Sequence, residues 1–192
     1  MFLSVLSYLP YAAVTAYTPG PNNVVALYSV SREGWRKGKN TLCGIAAGFL
    51  FVMILCALFC YELAKFIPSV TGIMKYIGAA YIIWLAIHVA RSGPDQSEGQ
   101  TVTFWQGFCL QFVNVKIILY AITVYTGYVL PETTSLPALL FHAVCLAAIG
   151  VSGNFVWAAA GGILQRFLAK HYRIFNLVMG AVLILCALKL LK

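Results

Sequence analysis

Thr18-Pro19-Gly20-Pro21-Asn22-Asn23 interrupts an apolar stretch that runs from Met1 to about Val30. The two prolines remove two backbone donors, and the glycine between them permits a non-helical turn. In hydrocarbon, every N–H and C=O released from a helix must find another partner. A broken helix therefore persists only where it is buried in protein or lines a polar cavity. The break is a candidate binding site inside a first membrane span.

The rest of the chain supports a membrane reading. Of its 192 residues 61% are hydrophobic and 9% charged, and the mean hydropathy is +0.87, far from the composition of a soluble domain. A span needs about 20 mostly apolar residues. Six such segments fit, at about 2–30, 41–63, 68–90, 104–130, 136–160 and 172–191. The N-terminal stretch lacks the basic region of a signal peptide and stays apolar through Val24-Val25-Ala26-Leu27, so it is read as the first span rather than a cleaved leader.

Basic residues orient the spans. Arg32, Arg36, Lys37, Lys39, Arg91, Arg166, Lys170 and Arg173 fall in the first, third and fifth loops, against Lys65, Lys75, Lys189 and Lys192 on the other side. The positive-inside rule then puts those loops in the cytoplasm and both termini outside. The formal charge of +8 is explained by topology and anionic lipid, and calls for no nucleic-acid partner. Cys43, Cys56, Cys60, Cys109, Cys145 and Cys186 all lie in spans, with no Cys-x-x-Cys and no metal-ligand spacing. They read as small apolar filler facing neighbouring helices, and no metal or cofactor is expected.

A second polar interruption, Gln111-Phe112-Val113-Asn114-Val115-Lys116, lies in the fourth span. A helix starting near Phe104 and rising about 1.5 Å per residue carries Lys116 about 18 Å in, near the bilayer middle. A lysine there costs at least about 2.5 kcal/mol unless it is paired or hydrated. A helix beginning nearer Gly107 would instead let the side chain reach an interface. No carboxylate lies at mid-depth; His88 and His142, near opposite ends of the third and fifth spans, titrate near neutral pH if they act at all.

The halves of the chain are alike. Gly44-Ile45-Ala46-Ala47-Gly48-Phe49 resembles Gly150-Val151-Ser152-Gly153-Asn154-Phe155, Gly78-Ala79-Ala80 resembles Gly180-Ala181-Val182, and each polar interruption falls in the first span of its half. Three spans per copy run the copies through the membrane in opposite senses, the inverted-repeat plan of many secondary transporters. The predicted fold is all-α and integral to the membrane: one polytopic domain over 1–192, with six transmembrane helices as two inverted three-helix repeats. The halves are about 1–90 and 104–192, joined by a cytoplasmic loop of about 91–103. Gly44 and Gly48 let helices approach closely; packing within one subunit explains them, and a homo-oligomer is compatible with them.

Tyr17-Thr18-Pro19-Gly20-Pro21-Asn22-Asn23, Gly78-Ala79-Ala80-Tyr81-Ile82-Ile83-Trp84-Leu85 and Gln111-Phe112-Val113-Asn114-Val115-Lys116 resemble the lysine exporter/homoserine-threonine resistance (LysE/RhtB) family of bacterial amino-acid exporters. The match follows the whole chain in order and length. Most members carry Asn-Pro-Lys in the fourth span, whereas this chain has Asn114-Val115-Lys116, which leaves open how sharply that span breaks. Phe112 to Tyr120 is similar to the subgroup exporting cysteine and O-acetylserine. The resemblance implies efflux of a small neutral amino acid across the bacterial inner membrane, with proton antiport as energy source.

A zwitterion suits these residues. Backbone N–H groups opened at Gly20 to Asn23, beside a helix N-terminus, fit its carboxylate, with Lys116 as countercharge. Oxygens of Asn22, Asn23, Asn114 and Gln111, and free carbonyls before Pro19 and Pro21, fit its ammonium; Asn22 and Asn23 also have the chemistry of helix caps. The expected substrate-binding set is Thr18, Pro19, Gly20, Pro21, Asn22, Asn23, Gln111, Asn114 and Lys116, with Asn154 weaker. An exporter of homoserine or threonine, or a membrane thiol–disulfide oxidoreductase using Cys56 and Cys60, are the competing readings. No Gly-rich phosphate loop ending in Lys-Ser/Thr occurs. Asn22→Ala is expected to slow efflux more than Asn154→Ala, and the reverse ranking of measured rates relocates the site to the fifth span.

Overall fold

In the computed structural model, the described residues are 2–66 and 103–191, with Tyr76, Ala79, Ala80, Ile83, Trp84, Ile87 and Arg91 between them. Apart from those seven positions, the expected third span and third loop lie outside the described residues. Five helices cover the rest: α1 (Phe2–Tyr17), α2 (Pro21–Phe66), α3 (Phe104–Val113), α4 (Val115–Val124), which runs on into a π turn (Tyr125–Val129), and α5 (Leu136–Leu191).

The first span is broken where the sequence predicts. Thr18 N–H closes α1 on Val14 O at 2.9 Å, and Pro19 has no N–H with which to continue. Gly20 then starts α2, its carbonyl accepting from Val24 N–H at 3.0 Å. Pro21 is the first residue of α2, a position whose N–H has no intrahelical partner in any case.

The fourth span is broken too. Thr103 and Gln106 cap each other's backbone at the start of α3, a reciprocal arrangement that satisfies two otherwise orphaned donors. Asn114, at φ −81° and ψ 89°, then leaves helical geometry, and α4 departs from α3 at 58°. Valine in place of proline has not straightened this span. Asn114 marks the break, its amide making no bond to its own helix and donating instead to Asn22 Oδ1 on α2 at 3.1 Å.

Two expected loops are tighter than the sequence reading. The basic stretch after the first span is a kink at Gly34 (φ 72°, ψ 168°) inside α2, a conformation only glycine takes without strain. Arg36, Lys37 and Lys39 lie exposed on the helix that resumes there. The fifth loop is likewise absorbed in α5, with kinks at Gly161 and His171. Among the described residues, Gly34–Leu63 and Leu136–Gly161 are long and apolar enough to cross a membrane, and the bent pair α3 with Val115–Val129 forms a third span if taken as one. α1, at 16 residues, reaches about 24 Å, short of a bilayer core of about 30 Å.

Glycines set the close contacts. A Cβ on Gly44 would meet Phe104 O at 2.1 Å and one on Gly48 would meet Phe108 O at 2.6 Å, while one on Gly153 would meet Ala16 O at 2.5 Å. α2 thus lies against α3 and α5 against the end of α1, in each case with backbones in near contact. The core between them holds Tyr8, Tyr11, Met53, Ile117, Tyr120, Tyr125, Leu139 and Leu146, with Cys56 and Cys60 among them. Those two cysteines are the apolar filler expected, whereas Cys43 and Cys109 face outward. Phe51, Leu55, Phe59, Phe141, Val144 and Phe155 are exposed on the outside, the surface that lipid covers. Gly44→Ala should lower stability by about 1–3 kcal/mol through overpacking, read from thermal unfolding in detergent; the neighbouring Cys43→Ala should leave the transition within about 0.5 kcal/mol. Equal, small effects would remove the close α2–α3 contact.

Candidate functional site

A helix that stops inside apolar surroundings leaves its last carbonyls without partners. Here side chains from across the fold supply them. Thr18 Oγ1 donates to Thr15 O at 3.0 Å. Asn23 Nδ2 donates to Ala16 O at 2.9 Å and to Thr18 O at 2.8 Å. Trp157 Nε1, on α5, donates to Tyr17 O at 3.0 Å. Lys116 Nζ, on α4, donates to Thr18 O at 3.0 Å, Thr18 Oγ1 at 3.2 Å and Pro19 O at 3.4 Å. The lysine side chain therefore turns onto the break rather than along its helix to an interface. Its stem lies so near Gly20 that a Cβ there would come within 2.9 Å of Nζ.

The second tie is an amide cluster. Asn22 Nδ2 donates to Gln111 Oε1 at 2.7 Å, and Gln111 Nε2 returns a bond to Asn22 Oδ1 at 3.0 Å. Gln111 Nε2 also donates to Gly107 O at 2.8 Å, and Asn114 Nδ2 reaches Asn22 Oδ1 at 3.1 Å. All three residues are buried, where an unpaired amide would cost about 1–3 kcal/mol. The two breaks, 89 residues apart at Asn22 and Gln111, are thus joined by complementary donors and acceptors.

Between the breaks and α5 lies a pocket of about 360 Å³ of non-atom space, its mouth included. Gly20, Pro21, Asn22, Asn23, Asn114, Lys116 and Asn154 line it, so seven of the ten residues singled out in the sequence meet there. Thr18, Pro19 and Gln111 do not line it. Thr18 and Gln111 are fully buried and stand behind it, holding Lys116 and Asn22 in place. Two expectations change. The carbonyls before Pro19 and Pro21 are occupied, Thr18 O by Asn23 and Lys116 and Gly20 O by Val24. Asn23 does cap, but on the carbonyls ending α1 rather than on the N–H groups opening α2.

Sequence reading missed Thr15, Phe49, Tyr120 and Gly150, which also line the pocket. Thr15 sits before the motif, and nothing in its neighbours marks it. Yet Thr15 Oγ1 and Asn154 Nδ2 are both buried with no hydrogen-bond partner. Native proteins rarely leave such groups unmet, so each asks for a ligand or water. With the first turn of α2 at Pro21 to Asn23 beside them, the pocket offers unmet donors and the positive end of a helix to an anion.

Interrupted helices meeting around a pocket bordered by buried amides and a lysine inside an apolar bundle define a membrane transporter of small molecules. The chain matches the LysE type translocator model over residues 13–192 and belongs to that family. Among its relatives are proteins named cysteine/O-acetylserine efflux protein. Those of Escherichia coli (strain K12) and Shigella sonnei (strain Ss046) are each 43% identical over 183 residues, covering 94% of this chain and 93% of the relative. No solved structure matches.

Two of the four pocket asparagines, Asn23 and Asn154, should separate in stability measurements. Asn23→Ala leaves the ends of α1 unmet and should cost about 1–3 kcal/mol, while Asn154→Ala removes a donor that is already unpaired and should cost nothing. Thermal unfolding of the purified variants checks this; comparable losses would mean that Asn154 is part of the framework.

Proposed function

We propose that this protein is a secondary exporter of a small neutral amino acid of the cysteine/O-acetylserine type. It moves its substrate from cytoplasm to periplasm across the bacterial inner membrane by alternating access, driven by proton antiport. The observation that carries this reading is the pocket between the two breaks, lined by Thr15 and Asn154, whose Oγ1 and Nδ2 are buried and unpaired, and by Lys116 and the start of α2. The names of the relatives supply the substrate class.

The substrate carboxylate takes the hydroxyl of Thr15, the amide of Asn154 and the N–H groups opening α2. Asn114 uses its Nδ2 on Asn22 and keeps its Oδ1 as acceptor for the ammonium. Lys116 has all three of its N–H groups matched by Thr18 and Pro19 oxygens, so its role is to clamp the break and to place positive charge beside the carboxylate. Asn22, tied to Gln111 and Asn114, shapes the same wall.

Alternating access requires one half to rock on the other. The glycine contacts support two inverted repeats: α2 of the first half rests on α3, the broken span of the second, through Gly44 and Gly48, and α5 of the second rests on α1, the broken span of the first, through Gly153. Orientation rests on the basic residues, with both termini periplasmic. Ser4 donates to the Glu132 carboxylate, which puts the N-terminal end of α1 and the loop before α5 at one end of the molecule, as that topology requires. Cys56 and Cys60 lie in the apolar core and not at the pocket, which argues against thiol–disulfide chemistry and for a protein that is not an enzyme.

Uptake of labelled O-acetylserine, cysteine, threonine and homoserine into everted vesicles, with and without an imposed pH gradient, tests substrate and coupling together. O-acetylserine and cysteine should accumulate, and Lys116→Ala should lose at least about tenfold in rate while still unfolding cooperatively. Transport by a well-folded Lys116→Ala at the normal rate, or loss of transport in a cysteine-free variant, would overturn the reading.

A further inference from the structure

The buried side of α1 carries polar groups where packing alone would favour aliphatic ones. Ser4, Tyr8, Tyr11 and Thr15 recur at spacings of four, three and four, which stacks them along one side of a helix, and none exceeds 3% exposure. At about 1.5 Å per residue the stripe extends about 16 Å. One end is the exposed carboxylate of Glu132, which accepts from Ser4 Oγ. The other is Thr15, at the pocket. Midway, Tyr11 stacks on Tyr120 with ring centroids 6.0 Å apart, and Tyr120 itself lines the pocket.

Beside this stripe sits a buried imidazole. His142 is 0% exposed, its Nδ1 lies 3.0 Å from Tyr8 Oη, and the rings meet edge-on at 5.6 Å. Its Nε2 is buried with no hydrogen-bond partner. A histidine kept only for packing would be better replaced by an aromatic hydrocarbon, since an unmet ring nitrogen costs about 1–3 kcal/mol. Imidazole is the side chain that ordinarily changes charge between pH 5 and 8. The titratable groups facing Tyr8 are Tyr120 of α4, Tyr125 and Tyr128 of the π turn and Cys145 of α5, with Cys56 and Cys60 of α2 beyond them against Tyr125. The charged groups acting on His142 are the terminal amine and Glu132.

We propose that His142 is the proton-binding site of this transporter, reached from Glu132 along the hydroxyl stripe of α1 and communicating with the pocket through Tyr11 and Tyr120. In the tautomer whose Nε2 carries the hydrogen, Nδ1 accepts from the Tyr8 hydroxyl. A proton passed from Tyr8 to Nδ1 gives imidazolium while Tyr8 takes another from the Glu132 side of the stripe, and the reverse transfer restores the neutral ring. Under the periplasmic placement of the N-terminus, Glu132 faces the side from which an inward proton gradient delivers protons. What the bound proton drives rests on the export reading above; where it binds does not.

The test uses the purified full chain in two settings. In liposomes, His142→Gln should lose about tenfold or more of gradient-driven O-acetylserine accumulation while exchange of labelled for unlabelled substrate without a gradient stays within about twofold. Tyr8→Phe removes the hydroxyl that joins the stripe to the imidazole and should likewise lower driven accumulation several-fold while exchange stays within about twofold. Driven accumulation by His142→Gln at the wild-type level, or loss of exchange along with it, overturns the proposal, as does a wild type that exchanges but ignores the gradient. A wild type with neither activity overturns the export reading instead. Proton binding is then decided by imidazole NMR of the histidine-labelled protein in detergent: the signal absent from His142→Gln should titrate between pH 5 and 8, and one that stays neutral throughout contradicts the assignment.

Discussion

The run of carbonyls from Val14 to Gly20 governs this structure, because none of them can be left bare in an apolar bundle. Each has a donor. Thr18 N–H takes Val14 O and Val24 N–H takes Gly20 O; Thr18 Oγ1 takes Thr15 O; Asn23 takes Ala16 O and shares Thr18 O with Lys116; Trp157 takes Tyr17 O; Lys116 takes Pro19 O. Three of these seven carbonyls are reached by residues of α4 or α5. Breaking α1 therefore requires the second half of the chain to be in place, and that requirement brings Asn114, Lys116 and Asn154 to one pocket.

The same requirement makes the site a candidate moving part. Lys116 meets the break at its exit from α1, and the amide cluster of Asn22, Gln111 and Asn114 meets it at its entry to α2. Polar ties of this kind have discrete alternatives, since an ammonium or amide released from a carbonyl can take a substrate carboxylate or a neighbouring amide instead. Packed helix faces such as Gly44 against Phe104 O offer no such exchange. Rearrangement is accordingly easier at the pocket than at the glycine seams, as the proposed rocking mechanism requires.

Much of this was legible in the sequence because the membrane tolerates few anomalies. Prolines at 19 and 21 could only break a span, and Lys116 could only be paired or near an interface. The bend at Asn114 was less legible, since valine at 115 removes the proline signal and leaves an asparagine to act alone. What the residues do there could not be read at all. Gln111 and Thr18 have the same donor and acceptor inventory whether they touch a ligand or stand behind those that do, and only the three-dimensional pairing separates the two. Thr15 and His142 were obscured for the opposite reason: a lone threonine or histidine in an apolar helix carries no pattern until its unmet atoms are located. The kinks at Gly34 and Gly161 were read as loops because basic residues mark where a chain leaves the bilayer, not whether it stays helical while doing so.

If the two breaks form one substrate cavity, a thiol placed at its unmet threonine must sense the substrate. In a cysteine-free background, Thr15→Cys should be alkylated by a small maleimide, and saturating O-acetylserine should slow that reaction by about tenfold or more by occupying the pocket. Alkylation at an unchanged rate in a variant that still transports O-acetylserine would place the substrate elsewhere and contradict the account.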